Sequence, residues 1–262
     1  MSRKQHVWIT AFGAAWLAIA WVAAAGAEKP AAYEPPRLAE PDACSIILVP
    51  DTQSYAKFGR NQGIFELMTA WIAENLQPLR VLTVMHTGDL VEWNNSGDPP
   101  DGVHLDQTSA QQWAAASRAF ERLDGKTPYI LSTGNHDYGI HSAENRQTQF
   151  PKYFPIDRNP AWKDALVECC PNRDGVKTLE NAAYALATPQ GRKLLIVSLE
   201  FAPSDPVLAW AKALVARDRF KDHFAVLLTH SYINSLAKGN ARLEKEGYAI
   251  KDANYGHFEI EE

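Results

Sequence analysis

The sequence predicts an α/β fold, one domain in which short buried strands alternate with helices along the chain. Three observations carry that expectation. The chain has 262 residues, 46% of them hydrophobic and 22% charged, enough for one large domain with a substantial core. Aliphatic, β-branched runs alternate with stretches of helical periodicity rather than falling in separate blocks. No internal repeat and no low-complexity tract interrupts them.

In chain order, "MSRKQH" is a short basic region, and the uncharged apolar stretch after it ends in Ala25-Gly26-Ala27, small residues in the A-x-A pattern of a secretory cleavage site. Residues 1–27 are therefore read as a signal peptide or, since the stretch is about long enough to span a bilayer, as an N-terminal membrane anchor. Either reading exports the domain to the periplasm or the extracellular space, and the membrane is a partner only if the segment is retained. Residues 28–43, rich in Pro and Ala, read as a linker, and residues 44–262 as the domain proper. Formal net charge is −5, and losing the leader removes Arg3 and Lys4 but no acid, so no nucleic-acid-binding surface is expected. Cys44, Cys169 and Cys170 lack CxxC spacing; adjacent cysteines bridge only with strain, which makes Cys44 to one of the pair the expected disulfide.

The first strand is expected at about 45–50. A helix follows over 63–77, with Ile64, Leu67, Met68, Trp71, Ile72 and Asn75 on one face at helical spacing. "RVLTVMHTGDL" (80–90) reads as a second buried strand, and "NNSGDPPDG" (94–102) is turn chemistry throughout. A helix over 109–124 has Ser109 as its expected N-cap, and "TPYILSTGNHDYG" (127–139) is a third strand stopping at Gly-Asn. Residues 140–175, aromatic and Pro-rich, read as an irregular lid or rim. Strands at 182–188 and 192–200, a helix opened by Asp205-Pro206, and a strand from 223 complete the alternation.

Four of these strands end alike. The first delivers Asp51 and Gln53, the second Asp89, the third Asn135, His136 and Asp137, and the last His230. Ligands bind at the carboxyl ends of strands in open α/β sheets, where loops converge. Oxygen donors joined by imidazole suit Mg, Mn, Fe or Zn. Singly, each residue is an ordinary turn or capping residue; four strand ends that repeat the pattern in order point to a metal site.

The sequence resembles the calcineurin-like metallophosphoesterases. That family's ordered blocks, D-x-H, G-D-x-x-D/E, G-N-H-D/E and a lone His after a strand, find counterparts in Asp51-Thr52-Gln53, Gly88 to Glu92, Gly134 to Asp137, and Thr229-His230. The resemblance implies a four-layer β-sandwich flanked by helices and a centre of two divalent metal ions (Mn, Mg, Fe or Zn). It also implies a two-metal-activated water that attacks a small phosphomonoester or phosphodiester. By position Asp51 and Gln53 would hold the first metal, Asp89 would bridge, and Asn135 and His230 would hold the second. His136 would be the proton donor to the leaving oxygen, with the Glu92 carboxylate orienting it and raising its pKa. Asp137 would fix the turn. His86 has no counterpart in the family's blocks; three residues before Asp89, it reads as a residue behind the ligands.

Two positions depart from the family pattern. Gln53 stands where the family has His; its neutral amide oxygen suits Mg or Mn better than Zn. The closing G-H-x-H block has no clean counterpart, because Gly256-His257 follows a polar stretch and Glu259 sits where the last histidine would be. The sequence is accordingly read as lacking its C-terminal elements. The alternative is a non-catalytic or fragmentary domain of the same fold with a defective metal site. Trp93, Tyr138, Phe150, Tyr153 and Phe154 are the candidate substrate-facing aromatics.

Overall fold

The computed structural model describes residues 34–230, and every element below lies in one compact unit, Pro36–Glu262. The leader and the His257 and Glu259 positions lie outside the described residues. Among the described residues, two sheets are built from seven strands. The first holds β1 (Ser45–Val49), β2 (Val81–His86) and β3 (Tyr129–Leu131) in that order, all parallel. The second runs β4 (Leu166–Pro171), β5 (Lys177–Ala187), β6 (Lys193–Ser198) and β7 (His223–Leu228), antiparallel until β6 pairs parallel with β7. Helices α1 (Gln53–Ala56), α2 (Gly59–Asn75) and α3 (Ser109–Glu121) link the strands of the first sheet, α4 (Phe150–Tyr153) precedes the second, and α5 (Asp205–Val215) lies in the crossover between its parallel strands β6 and β7. The mixed α/β architecture with two sheets agrees with the expected fold.

The two sheets share a core. Val84, Tyr129 and Leu131 from the first pack in one cluster with Ala182, Tyr184, Ile196 and Leu228 from the second, together with Trp113, Phe120, Phe150 and Trp162. Hydroxyls stitch the sheets at their carboxyl ends: Ser132 donates to the Leu199 carbonyl at 2.9 Å and Ser198 to the Leu131 carbonyl at 3.3 Å. Both partners are buried, so each bond stands in for water the groups have lost. This stitching brings the ends of β3 and β6 together, and with them the loops that follow β1, β2 and β7.

Four local expectations change. The buried face of α2 is Phe65, Thr69, Ile72 and Asn75, while Ile64, Leu67 and Trp71 face outward. The helix is turned by Glu66, which takes both Arg118 (2.9 Å) and Arg122 (3.0 Å) beside α3, and by Phe65, whose ring meets Phe120 edge-on at 5.8 Å. Thr69 and Asn75 tolerate the core because their side chains donate to helix carbonyls. The N-cap of α3 is Thr108, one residue earlier than expected, in a reciprocal box with Gln111; Ser109 instead holds the 96 loop.

Residues 140–175 are not a lid. They contain α4 and β4, and Phe150, Phe154 and Trp162 are fully or almost fully buried core, as is Tyr138. Of the candidate substrate-facing aromatics, those three of the five (Tyr138, Phe150, Phe154) are packing residues. Nor is the expected disulfide formed: Cys44, Cys169 and Cys170 are all free. Cys44 precedes β1 of the first sheet while the pair lies on β4 of the second, and burial pushes the Cys169 thiol up to about 11.

Candidate metal centre

The parallel strands place their carboxyl ends side by side, and the turns after them carry the polar residues into one cluster. Asp51, Asp89 and His230 each offer a ligand atom, all within 4.8 Å of one another. His230 Nε2 lies 3.5 Å from Asp89 Oδ2, and its Nδ1 lies 3.8 Å from Asp51 Oδ1. That nitrogen is 3.0 Å from the Thr87 carbonyl, so Nδ1 carries the proton and donates it there. The lone pair of Nε2 is thereby turned toward Asp89, the arrangement by which metal-ligating histidines are commonly held.

Asp89 sits in a left-handed conformation (φ 54°) after Gly88 (φ 106°), a strained turn that aims a buried carboxylate at the cluster. Burial raises the Asp89 pKa, against the pull of His230 and His136. A metal cation would offset the solvation that burial has removed and favour the ionised carboxylate. The carbonyl of the same residue accepts from the Thr52 and Gln53 N–H groups at 3.1 and 2.9 Å, which locks the Asp51 loop to the Asp89 turn. Thr87 Oγ1 donates to Asp51 Oδ1 at 3.0 Å and orients that exposed carboxylate.

The remaining donors fit a cation as well. Among the described residues, Gln53 Oε1 is a buried oxygen with no hydrogen-bond partner. An amide oxygen desolvated without a partner costs about 1–3 kcal/mol, a penalty a metal ion at this position would relieve. Asn135 spends its amide nitrogen on Ser142 Oγ at 2.9 Å, leaving its oxygen available as an acceptor. The residues present therefore fit a divalent cation.

The structure corrects the expected partner of His136. Its Nδ1 lies 2.8 Å from the backbone carbonyl of Glu92, whereas the Glu92 carboxylate pairs with Lys57 Nζ at 3.2 Å. A carbonyl only accepts, so Nδ1 bears a hydrogen and Nε2 is the nitrogen free for chemistry. The His136 N–H donates to Asp89 Oδ1 at 2.9 Å, tying the two loops. Asp137 is fully buried and accepts from the Gly134, Leu90 and Val91 N–H groups, clamping the 134–138 turn onto the Asp89 loop.

His86 and Thr52 form a support that motif spacing only half suggests. Fully buried, His86 accepts the Gly88 N–H at Nδ1 (3.0 Å), so Nε2 carries the proton and donates to Thr52 Oγ1 (3.0 Å), which donates on to the Leu90 carbonyl (3.4 Å). Burial, then His230, lowers the His86 pKa to about 3, which keeps the ring neutral. Thr52, Thr87 and Ser142 carry no sequence signal of their own; only their positions beside Asp51, Asp89 and Asn135 mark them.

A family model for calcineurin-like phosphoesterases matches residues 44–257. The chain is also 28% identical over 200 residues to the uncharacterized protein YvnB of Bacillus subtilis (strain 168). That match takes in 76% of this chain but only 13% of YvnB, so the chain spans a small part of its relative's length.

Proposed function

Because the chain belongs to the calcineurin-like phosphoesterase family, we propose that it hydrolyses a small phosphomonoester or phosphodiester with two divalent metal ions held at its strand ends. The observation that carries this reading is the convergence of Asp51, Asp89 and His230 within 4.8 Å at the ends of three strands. Asp51 and Gln53 would hold one ion, Asn135 and His230 the other, and Asp89 both. Cations bound there would lower the pKa of a water and offset charge on the phosphoryl oxygens.

The chain's own groups do the rest. Asp89, buried on a turn fixed by His86 and Asp137, keeps its carboxylate in place without reorganising. His136 is held by its Nδ1 hydrogen, and in its imidazolium form Nε2 would carry the second proton, the one given to the leaving oxygen. Its hold is a neutral carbonyl, so orientation rather than a carboxylate partner is what Glu92 contributes. The basic start and apolar stretch of residues 1–27 support export to the periplasm or the extracellular space.

The test is turnover of bis(p-nitrophenyl) phosphate and p-nitrophenyl phosphate with added Mn²⁺, in the wild type and in Asp89→Asn. Turnover in the wild type that disappears in the variant supports the proposal. No turnover in either favours the alternative of a non-catalytic domain of this fold, and equal turnover in both refutes the assignment.

A further inference from the structure

One buried carboxylate takes no part in the metal centre. Glu180 on β5 is 2% exposed, and among the described residues its Oε1 has no hydrogen-bond partner. It lines a cavity of about 310 Å³, at the small end of the ligand-pocket range. The rest of the lining is largely polar, with Asn95, Gln147, Asn172, Asp174 and Arg146 among its residues.

The cavity is pre-formed. Asn94 donates to the Gly139 carbonyl at 2.7 Å and to the Gln147 carbonyl at 3.1 Å, and accepts from the Gln149 N–H at 2.9 Å, which fixes the 145–149 loop against the 94 turn. Asn181, next to Glu180 on β5, accepts from the Glu200 N–H at 3.0 Å, holding β5 to the chain beyond β6. Arg146, also in the lining, lies 3.3 Å from Glu200, donates to the Phe201 carbonyl and covers the Tyr138 ring at 4.5 Å. Burial first, and Glu200 second, push the Glu180 pKa up to about 7 against the smaller pull of Asn172 and Arg146, so the group titrates near neutral pH.

The chemistry of the wall selects a ligand class. Glu180 and Asp174 outnumber the one cation in the lining, Arg146, which pairs with Glu200, so an anion is disfavoured. Among the described residues they belong to no cluster of three converging metal ligands, which disfavours a cation. Pro151 alone among the lining residues is apolar, so a hydrophobic group gains little, and no aromatic ring lines the cavity to cage a bulky ammonium. Hydroxyl groups fit, since each both donates and accepts, and carboxamides with a carboxylate answer both roles. We propose that this cavity binds a hydroxyl-rich organic group, a polyol or a sugar, with Glu180 Oε1 as its principal acceptor.

The test is saturation-transfer NMR at pH 8 on the full chain with glycerol, myo-inositol and D-glucose as separate probes, each titrated to about 10 mM, a range that detects millimolar affinity. At least one probe is expected to receive saturation from the wild type. Its affinity should fall about tenfold in Glu180→Gln, which weakens a charge-assisted bond to a neutral one. Asn95→Ala, an exposed change on the wall, should weaken the same probe and decides the matter should Glu180→Gln misfold. No transfer from any of the three probes, or unchanged affinity in both variants, overturns the proposal.

Discussion

His136 Nδ1 and the Glu92 backbone carbonyl meet at 2.8 Å, while the Glu92 carboxylate turns away to Lys57. The contact depends on the main chain, so it survives any side chain at position 92. Glu92→Gln is expected to keep kcat within a few-fold of the wild type. His136→Ala, which removes the proton donor, should lower kcat by about 10²–10⁴. Steady-state turnover of an aryl phosphodiester with Mn²⁺ checks both; a Glu92→Gln loss as large as that of His136→Ala would restore the carboxylate to the catalytic role.

His86 bonds the Gly88 N–H and the Thr52 hydroxyl, and so joins the turns that carry Asp89 and Asp51. His86→Leu strands a buried N–H and should cost about 1–3 kcal/mol in urea unfolding. The pH dependence has a definite sign. The folded ring titrates at about 3 and the unfolded ring near its ordinary 6.5, so below that value the unfolded chain binds the extra proton. The His86 contribution to stability is present above pH 6.5 and lost as pH falls toward 3, and the variant's curve should be flatter across that window.

Glu180 imposes the opposite slope. Its folded pKa of about 7 exceeds the ordinary 4.5, so the folded chain holds its proton longer and this group's contribution is lost as pH rises from 4.5 through 7. Glu180→Gln should remove that slope and stabilise the protein at pH 8, by up to about 3 kcal/mol. Urea unfolding of both proteins at pH 5 and pH 8 measures it; an equal difference at the two pH values would contradict the raised pKa of the buried carboxyl.

Gly134 leaves no room for a side chain: a Cβ there would run into the Asp89 carboxylate and backbone nitrogen. Gly134→Ala should therefore displace Asp89 and reduce Mn²⁺ affinity at least tenfold. Gly63→Ala, within α2 and with open space around it, should instead stabilise by about 0.5–1 kcal/mol. Calorimetric Mn²⁺ titration and thermal unfolding of the pair separate a specific clash from a general cost of substitution.

The strand ends were legible in the sequence because an aliphatic run that stops at Asp51, Asp89 or His230 has a definite carboxyl end, and parallel strands bring such ends together. The packing of α2 was not, since periodicity ranked Ile64 and Leu67 as core without knowing that Glu66 would face two arginines. Strand β4 was hidden for a related reason: Leu166–Pro171 is short, ends in Pro and follows a Pro-rich stretch, so its pairing with β5 decides its conformation. At the site, spacing placed Glu92 beside His136 but could not say whether the side chain or the carbonyl would make the bond. The Thr52–His86 bond likewise joins residues 34 apart, beyond the reach of any local motif.

Asp89 is the residue proposed to be shared by the cations, and direct counting of bound Mn²⁺ tests that role without recourse to a substrate. Equilibrium titration followed by electron paramagnetic resonance should find two Mn²⁺ per wild-type chain, with the spins coupled through a shared ligand. In Asp89→Asn the coupling should vanish and at least one ion be lost. A wild type that binds no Mn²⁺, or a variant that binds two with the same coupling, would contradict the metal centre proposed here.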